Sequence, residues 1–104
     1  MDLNQIADIP GVQAVVLSDA NGALLEVTGS IDGEAAGAVH SFSVVSLTQA
    51  GEALGLGAFQ RASIIGPQKS YVLTLTDEMV LAVYVAPGKP LSTVEKKLQD
   101  ALQR

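Results

Sequence analysis

Hydrophobic periodicity changes along this chain in a regular way. VQAVVLSD (Val12 to Asp19) has two alternating sets, Val12-Ala14-Val16 and Gln13-Val15-Leu17, both mostly apolar. That pattern predicts a central strand covered on both faces. Asp19-Ala20-Asn21-Gly22 then predicts a hairpin turn, because Asn-Gly accepts positive φ. ALLEVTG (Ala23 to Gly29) is the returning strand, with Glu26 and Thr28 nearer water. After a long helical stretch, AFQRASIIG (Ala58 to Gly66), SYVLTLTD (Ser70 to Asp77) and MVLAVYVA (Met79 to Ala86) predict a three-stranded meander. The third strand is the most polar of these, through Gln60, Arg61 and Ser63, as expected of a sheet edge. Two short amphipathic stretches stand at the two ends of the chain. Asp2 to Asp8 forms a helix stopped by Pro10-Gly11, with Leu3, Ile6 and Ile9 on one side. Leu91 to Arg104 forms another, with a Leu91, Val94, Leu98, Ala101 and Leu102 stripe and a Ser92/Glu95 capping box. The order is α-β-β-α-β-β-β-α. Hairpin links demand a five-stranded antiparallel sheet flanked by helices, an α+β fold in one domain spanning residues 1–104.

The central helix does not follow the usual pattern. It is capped by Ser30 or Asp32 and runs to about Leu54, where Gly55-Leu56-Gly57 supplies a left-handed stop. Ala35 to Gly51 contains no Asp, Glu, Lys or Arg. One face carries Ala35, Ala38, Val39, Phe42 and Val45, continued less apolarly by Ser46 and Gln49. The other carries Gly37, His40, Ser41, Val44, Thr48 and Gly51. A solvated helix face holds charges and long polar side chains, as the closing helix does with Glu95, Lys96, Gln99, Asp100 and Gln103. The small, neutral face therefore reads as an outer surface covered by a partner. With Phe59, Arg61 and Ser63 of the following strand, it makes one expected dimer or partner interface.

Composition sharpens this expectation. The chain has 104 residues, 48% of them apolar and only 16% charged. So few charges on a small chain call for a surface that meets other protein, and homodimerisation supplies one. Eleven acids against six bases give a net charge of −5. Nucleic acid and anionic membrane surfaces are disfavoured, since both need clustered Lys and Arg. No cysteine is present, which removes disulfides and thiolate chemistry. The start, MDLNQIADIPG, lacks the basic and apolar runs of a secretion signal, and the polar residues of the central helix bar it from a membrane. A soluble, cytoplasmic protein is expected.

Little in the sequence reads as catalytic. His40 has Ala36 and Val44 at i−4 and i+4, and Ser43 nearby without an orienting acid, so no triad is indicated. Asp77-Glu78 falls on a tight turn, where Asp serves the backbone. Gly51, Gly55 and Gly57 end a helix, whereas phosphate loops precede one. No catalytic residue, metal site or cofactor is expected, and the chain reads as no enzyme. Arg61 has two readings: an edge charge that discourages aggregation, or a contact across an interface.

IPGVQAVVLSDANGALL, the alanine-rich central helix, ALGLGAFQRASIIG and YVLTLTDEMVLAVYVAPG together resemble the Roadblock (dynein light-chain) family, including its bacterial MglB-type members. The resemblance covers essentially the whole chain. It implies the long helix on one sheet face and the two terminal helices on the other, a profilin-like layout. It also implies a homodimer formed through that helix and the next strand. Binding and regulation of a Ras-like small GTPase follows from the same resemblance, without an arginine finger, so Arg61 is not given that role. A pure assembly scaffold is the alternative function. A small-molecule sensor is a third, as in the related profilin, PAS and GAF layouts, but the Val, Leu and Ala core offers few polar groups to orient a ligand.

Overall fold

Residues 3–76 and 78–103 are described by the computed structural model. Eight elements follow in chain order: α1 (Leu3–Ala7), β1 (Val12–Asp19), β2 (Leu24–Thr28), α2 (Gly33–Ala53), β3 (Arg61–Ile65), β4 (Ser70–Thr76), β5 (Met79–Val85) and α3 (Leu91–Leu102). The five strands form one antiparallel sheet in the order β2-β1-β5-β4-β3. β5 is central between β1 and β4, and the near-continuous apolar runs of β1 and β5 are buried on both faces. β3 is an edge, as its polarity predicts, and is mostly exposed. Leu25 and Val27 are exposed too, because β2 is the opposite edge.

Strand alternation divides the core into two layers. Val15, Leu17, Val72, Leu81, Val83 and Val85 meet Leu3 and Ile6 of α1 and Val94 and Leu98 of α3. Val16, Leu73, Val80 and Ala82 meet Val44 of α2. One long helix thus covers one face of the sheet, and the two terminal helices cover the other.

Local chemistry sets the joints. Asp19 Oδ1 accepts from the backbone N–H of Asn21 (2.9 Å) and Ala23 (3.0 Å), while Gly22 takes φ 92°. This closes the β1–β2 turn in the geometry that only glycine adopts without strain. Of the two cap candidates for α2, Asp32 is the residue used: its Oδ1 accepts from Ala35 N at 3.2 Å. Asp32→Ala is expected to lower stability by about 1 kcal/mol, read as a shift of the urea midpoint at unchanged m-value. The helix closes with Gly55 N bonding Glu52 O and Leu56 N bonding Gly51 O.

Two expectations at the ends of elements are corrected. The Ser92/Glu95 capping box does not form: α3 begins at Leu91, as expected, but its N-cap is Pro90, two residues before Ser92, and no side chain caps it. Glu95 instead accepts a hydrogen bond from Ser63 Oγ, tying α3 to β3. The third strand is shorter than Ala58 to Gly66, because its first residues follow the α2 terminus before pairing with β4 begins. Of the turn pair Asp77-Glu78, Asp77 lies outside the described residues, and Glu78 takes φ 64°.

Candidate interaction surface

The largest correction concerns the orientation of α2. Its buried residues are Gly33, Gly37, His40, Ser41 and Val44, all packed against the protein's own sheet. The face carrying Ala35, Ala38, Val39, Phe42, Val45, Ser46 and Gln49 is the one turned to solvent. The helix is therefore inverted relative to the expectation that its small face points outward.

Close approach explains the inversion. A Cβ on Gly37 would lie 3.2 Å from Ser18 Cβ and 3.3 Å from the Gly22 carbonyl oxygen. At that separation the helix backbone rides directly on β1, and only small residues fit between them. The two polar side chains at this contact find partners. Ser41 Oγ donates to the Asp19 carbonyl at 3.0 Å, and His40 Nε2 lies 2.6 Å from the Tyr84 hydroxyl. His40 Nδ1 and Ser18 Oγ, also buried there, have no partner.

His40 belongs to an aromatic cluster with Tyr71 and Tyr84, which face each other directly across β4 and β5. Its ring centroid is 4.8 Å from that of Tyr71 and 5.6 Å from that of Tyr84. The imidazole is only 2% exposed. Burial lowers its pKa below the ordinary 6.5. Burial, and then the neighbouring Tyr71, raise that of Tyr84. With no carboxylate in the cluster, His40 has no orienting acid and is a neutral packing residue. Well above pH 6.5 it is neutral folded and unfolded alike. As pH falls below that value the unfolded chain takes up a proton that the folded state resists, so stability falls. In His40→Gln this loss is expected to disappear from the pH dependence of the urea midpoint.

The residues expected to share one interface are thus divided among three places. Gly37, His40, Ser41 and Val44 lie beneath α2. Thr48, Gly51 and Phe59 are half-buried at its C-terminal end. Arg61 and Ser63 are exposed on the edge strand; the Ser63 bond to Glu95 puts that side of β3 towards α3, the face opposite α2.

A different surface takes the place of the expected one. Phe42 is 74% exposed, with Val39 and Val45 exposed beside it on the same face. Leu54 and Leu56 extend the exposed apolar surface past the helix terminus. An apolar trough of about 370 Å³ follows, lined among others by Leu47, Gly51, Leu54, Leu56, Phe59 and Ala62. It runs from the end of α2 to β3, whose outer edge pairs with no other strand of the sheet. Monomeric proteins rarely present so continuous an apolar surface beside an open sheet edge. No group of three or more His, Cys, Asp or Glu among the described residues could hold a metal. No helix among them is long and apolar enough to cross a membrane.

The arrangement of elements is that of a Roadblock/MglB-like fold. The chain is similar to Myxococcus xanthus MglB, with a TM-score of 0.87 at 20% identity over 95% of this chain and 84% of that one. It is similar to a Roadblock/LC7 domain from Streptomyces avermitilis, with a TM-score of 0.83 at 14% identity over 97% of this chain and 88% of that one. The gliding protein MglB from Thermus thermophilus gives 0.85 at 15% identity, over 97% of this chain and 80% of that one. No family profile matches the sequence, and no curated protein does. At these identities the likeness is one of fold.

Proposed function

We propose that this protein is a non-enzymatic, homodimeric module that binds a Ras-like small GTPase and adjusts its nucleotide cycle. The observation that carries the proposal is the uncharged stripe of Val39, Phe42 and Val45, exposed on α2 and leading to the open β3 edge. A second copy related by a two-fold axis would cover both at once: stripe against stripe, and β3 against β3 in a continued sheet. Among the residues expected from sequence, Thr48, Gly51, Phe59 and Arg61 remain at the border of that surface. Gly37, His40, Ser41 and Val44 support it from beneath. The GTPase as further partner comes from the resemblance to Roadblock and MglB-type proteins, an analogy at the level of the fold.

The dimer is tested by sedimentation of the purified protein, and the partner by a Ras-like GTPase encoded beside it or recovered with it. GTP turnover by that GTPase is expected to change when this protein is added. Binding without any change in turnover would replace the regulatory reading by the scaffold one. A monomer at every concentration would remove the basis of both.

A further inference from the structure

On the opposite side of the sheet, the edge strand and α3 enclose a cleft of about 340 Å³. Its lining includes Gln60, Arg61, Thr74, Thr76, Gln99 and Leu102, and contains no acid among the described residues. Two features set it apart from an ordinary surface groove. Thr74, one of the lining residues, is 7% exposed, and its hydroxyl is buried without a hydrogen-bond partner. Directly across the strand pair from Thr74 stands Arg61. The guanidinium pairs with no carboxylate among the described residues, although acids outnumber bases eleven to six along the chain.

Each feature has a cost that a ligand would remove. An unpaired buried hydroxyl loses its hydration without compensation. An unpaired arginine offers a planar fork of donors whose geometry matches a carboxylate. Gln60 and Gln99 add neutral amides able to donate or accept, and Leu102 supplies an apolar wall. The volume lies at the small end of ligand sites.

We infer that this cleft binds a small carboxylate, with Arg61 holding the carboxylate oxygens and the Thr74 hydroxyl, turned into the cleft by rotation about χ1, donating to one of them. Gln60 and Gln99 orient the remainder of the molecule. Arg61 is shared with the border of the trough at the end of α2, whereas Gln99 and Leu102 belong to α3, and the site stands whether or not a GTPase is the partner. It also differs from the core cavity that a sensor domain would need: the polar groups are gathered at the sheet edge, outside the Val, Leu and Ala interior.

The test is amide chemical-shift mapping of the whole chain titrated with sodium succinate, against sodium chloride at equal ionic strength. Saturable shifts confined to Gln60, Arg61, Thr74, Thr76 and Gln99 are expected, with Kd of about 1 mM, as suits so small a ligand. Arg61→Gln is expected to weaken binding about tenfold or more, since a charge-assisted pair is lost. Thr74→Val, nearly isosteric and relieved of its unpaired hydroxyl, keeps the fold and still loses affinity. The guanidinium fork matches phosphate and carboxylate alike, but phosphate is expected to bind more weakly than succinate because it has no carbon chain to lie against Leu102 and the Gln60 and Gln99 side chains. Shifts that do not saturate, that spread over the surface, or that survive both substitutions would overturn the proposal. Phosphate binding as tightly as succinate would overturn the carboxylate assignment.

Discussion

Val44→Arg is expected to unfold the protein. Val44 is 8% exposed and packs with Val16, Leu73, Val80 and Ala82 between α2 and the sheet. An arginine there carries a charge into apolar surroundings, and among the described residues no buried carboxylate stands ready to meet it. Its length also cannot be housed where Gly37, less than two turns earlier, holds the helix backbone against Ser18. Burying an unpaired charge costs about 4 kcal/mol or more, against a total stability of roughly 5–15 kcal/mol for a domain of this size. The expected result is loss of the cooperative urea transition and of near-ultraviolet circular dichroism. A well-folded Val44→Arg variant with altered self-association would return Val44 to an outer face and refute the orientation of α2 described above.

The inverted helix marks the boundary of what the sequence made legible. Strands, hairpins and element order follow from alternation and turn chemistry, because β-periodicity flips every side chain from one face to the other. β1, with both alternating sets apolar, reads as central, and β3, with Gln60, Arg61 and Ser63, reads as an edge, which is where each lies. α2 offers no such asymmetry. Its apolar residues are spread around the whole cylinder, so periodicity establishes a helix without orienting it. Orientation was decided instead by backbone proximity, through Gly33 and Gly37. That approach depends on the sheet and not on the helix sequence alone.

Two pairings across long sequence separations were hidden for a related reason. His40 meets Tyr84 through a helix-to-strand contact 44 residues apart, and Ser63 meets Glu95 through a strand-to-helix contact 32 apart. Yet Tyr71 and Tyr84 share a strand register, and each falls on the same alternating face as the apolar residues beneath α2. A polar-tipped aromatic pair on an otherwise apolar face was the available signal that something on the covering helix must satisfy it. For Glu95, capping was the local competitor, and Pro90 removed it by starting the helix before Ser92. The same displacement leaves Glu95 free to reach β3.

Phe42→Arg should have the opposite effect to Val44→Arg, although the two residues are two positions apart. Phe42 is 74% exposed, so an arginine in its place meets water, keeps the helix and leaves the urea transition of the monomer nearly unchanged. Its effect appears in association. Covering a phenylalanine removes about 150 Å² or more of apolar surface from water, worth roughly 3–4 kcal/mol for each ring. A two-fold axis counts the loss twice and also brings the two new positive charges towards each other. Dimer dissociation is therefore expected to strengthen by about a hundredfold or more, with sedimentation at micromolar concentration reporting a folded monomer. Any partner that needs both copies loses its binding in the same variant. An unchanged dimer would show that the exposed stripe is not the seam between copies. The contrast with position 44 ensures that neither outcome can be attributed to loss of the fold.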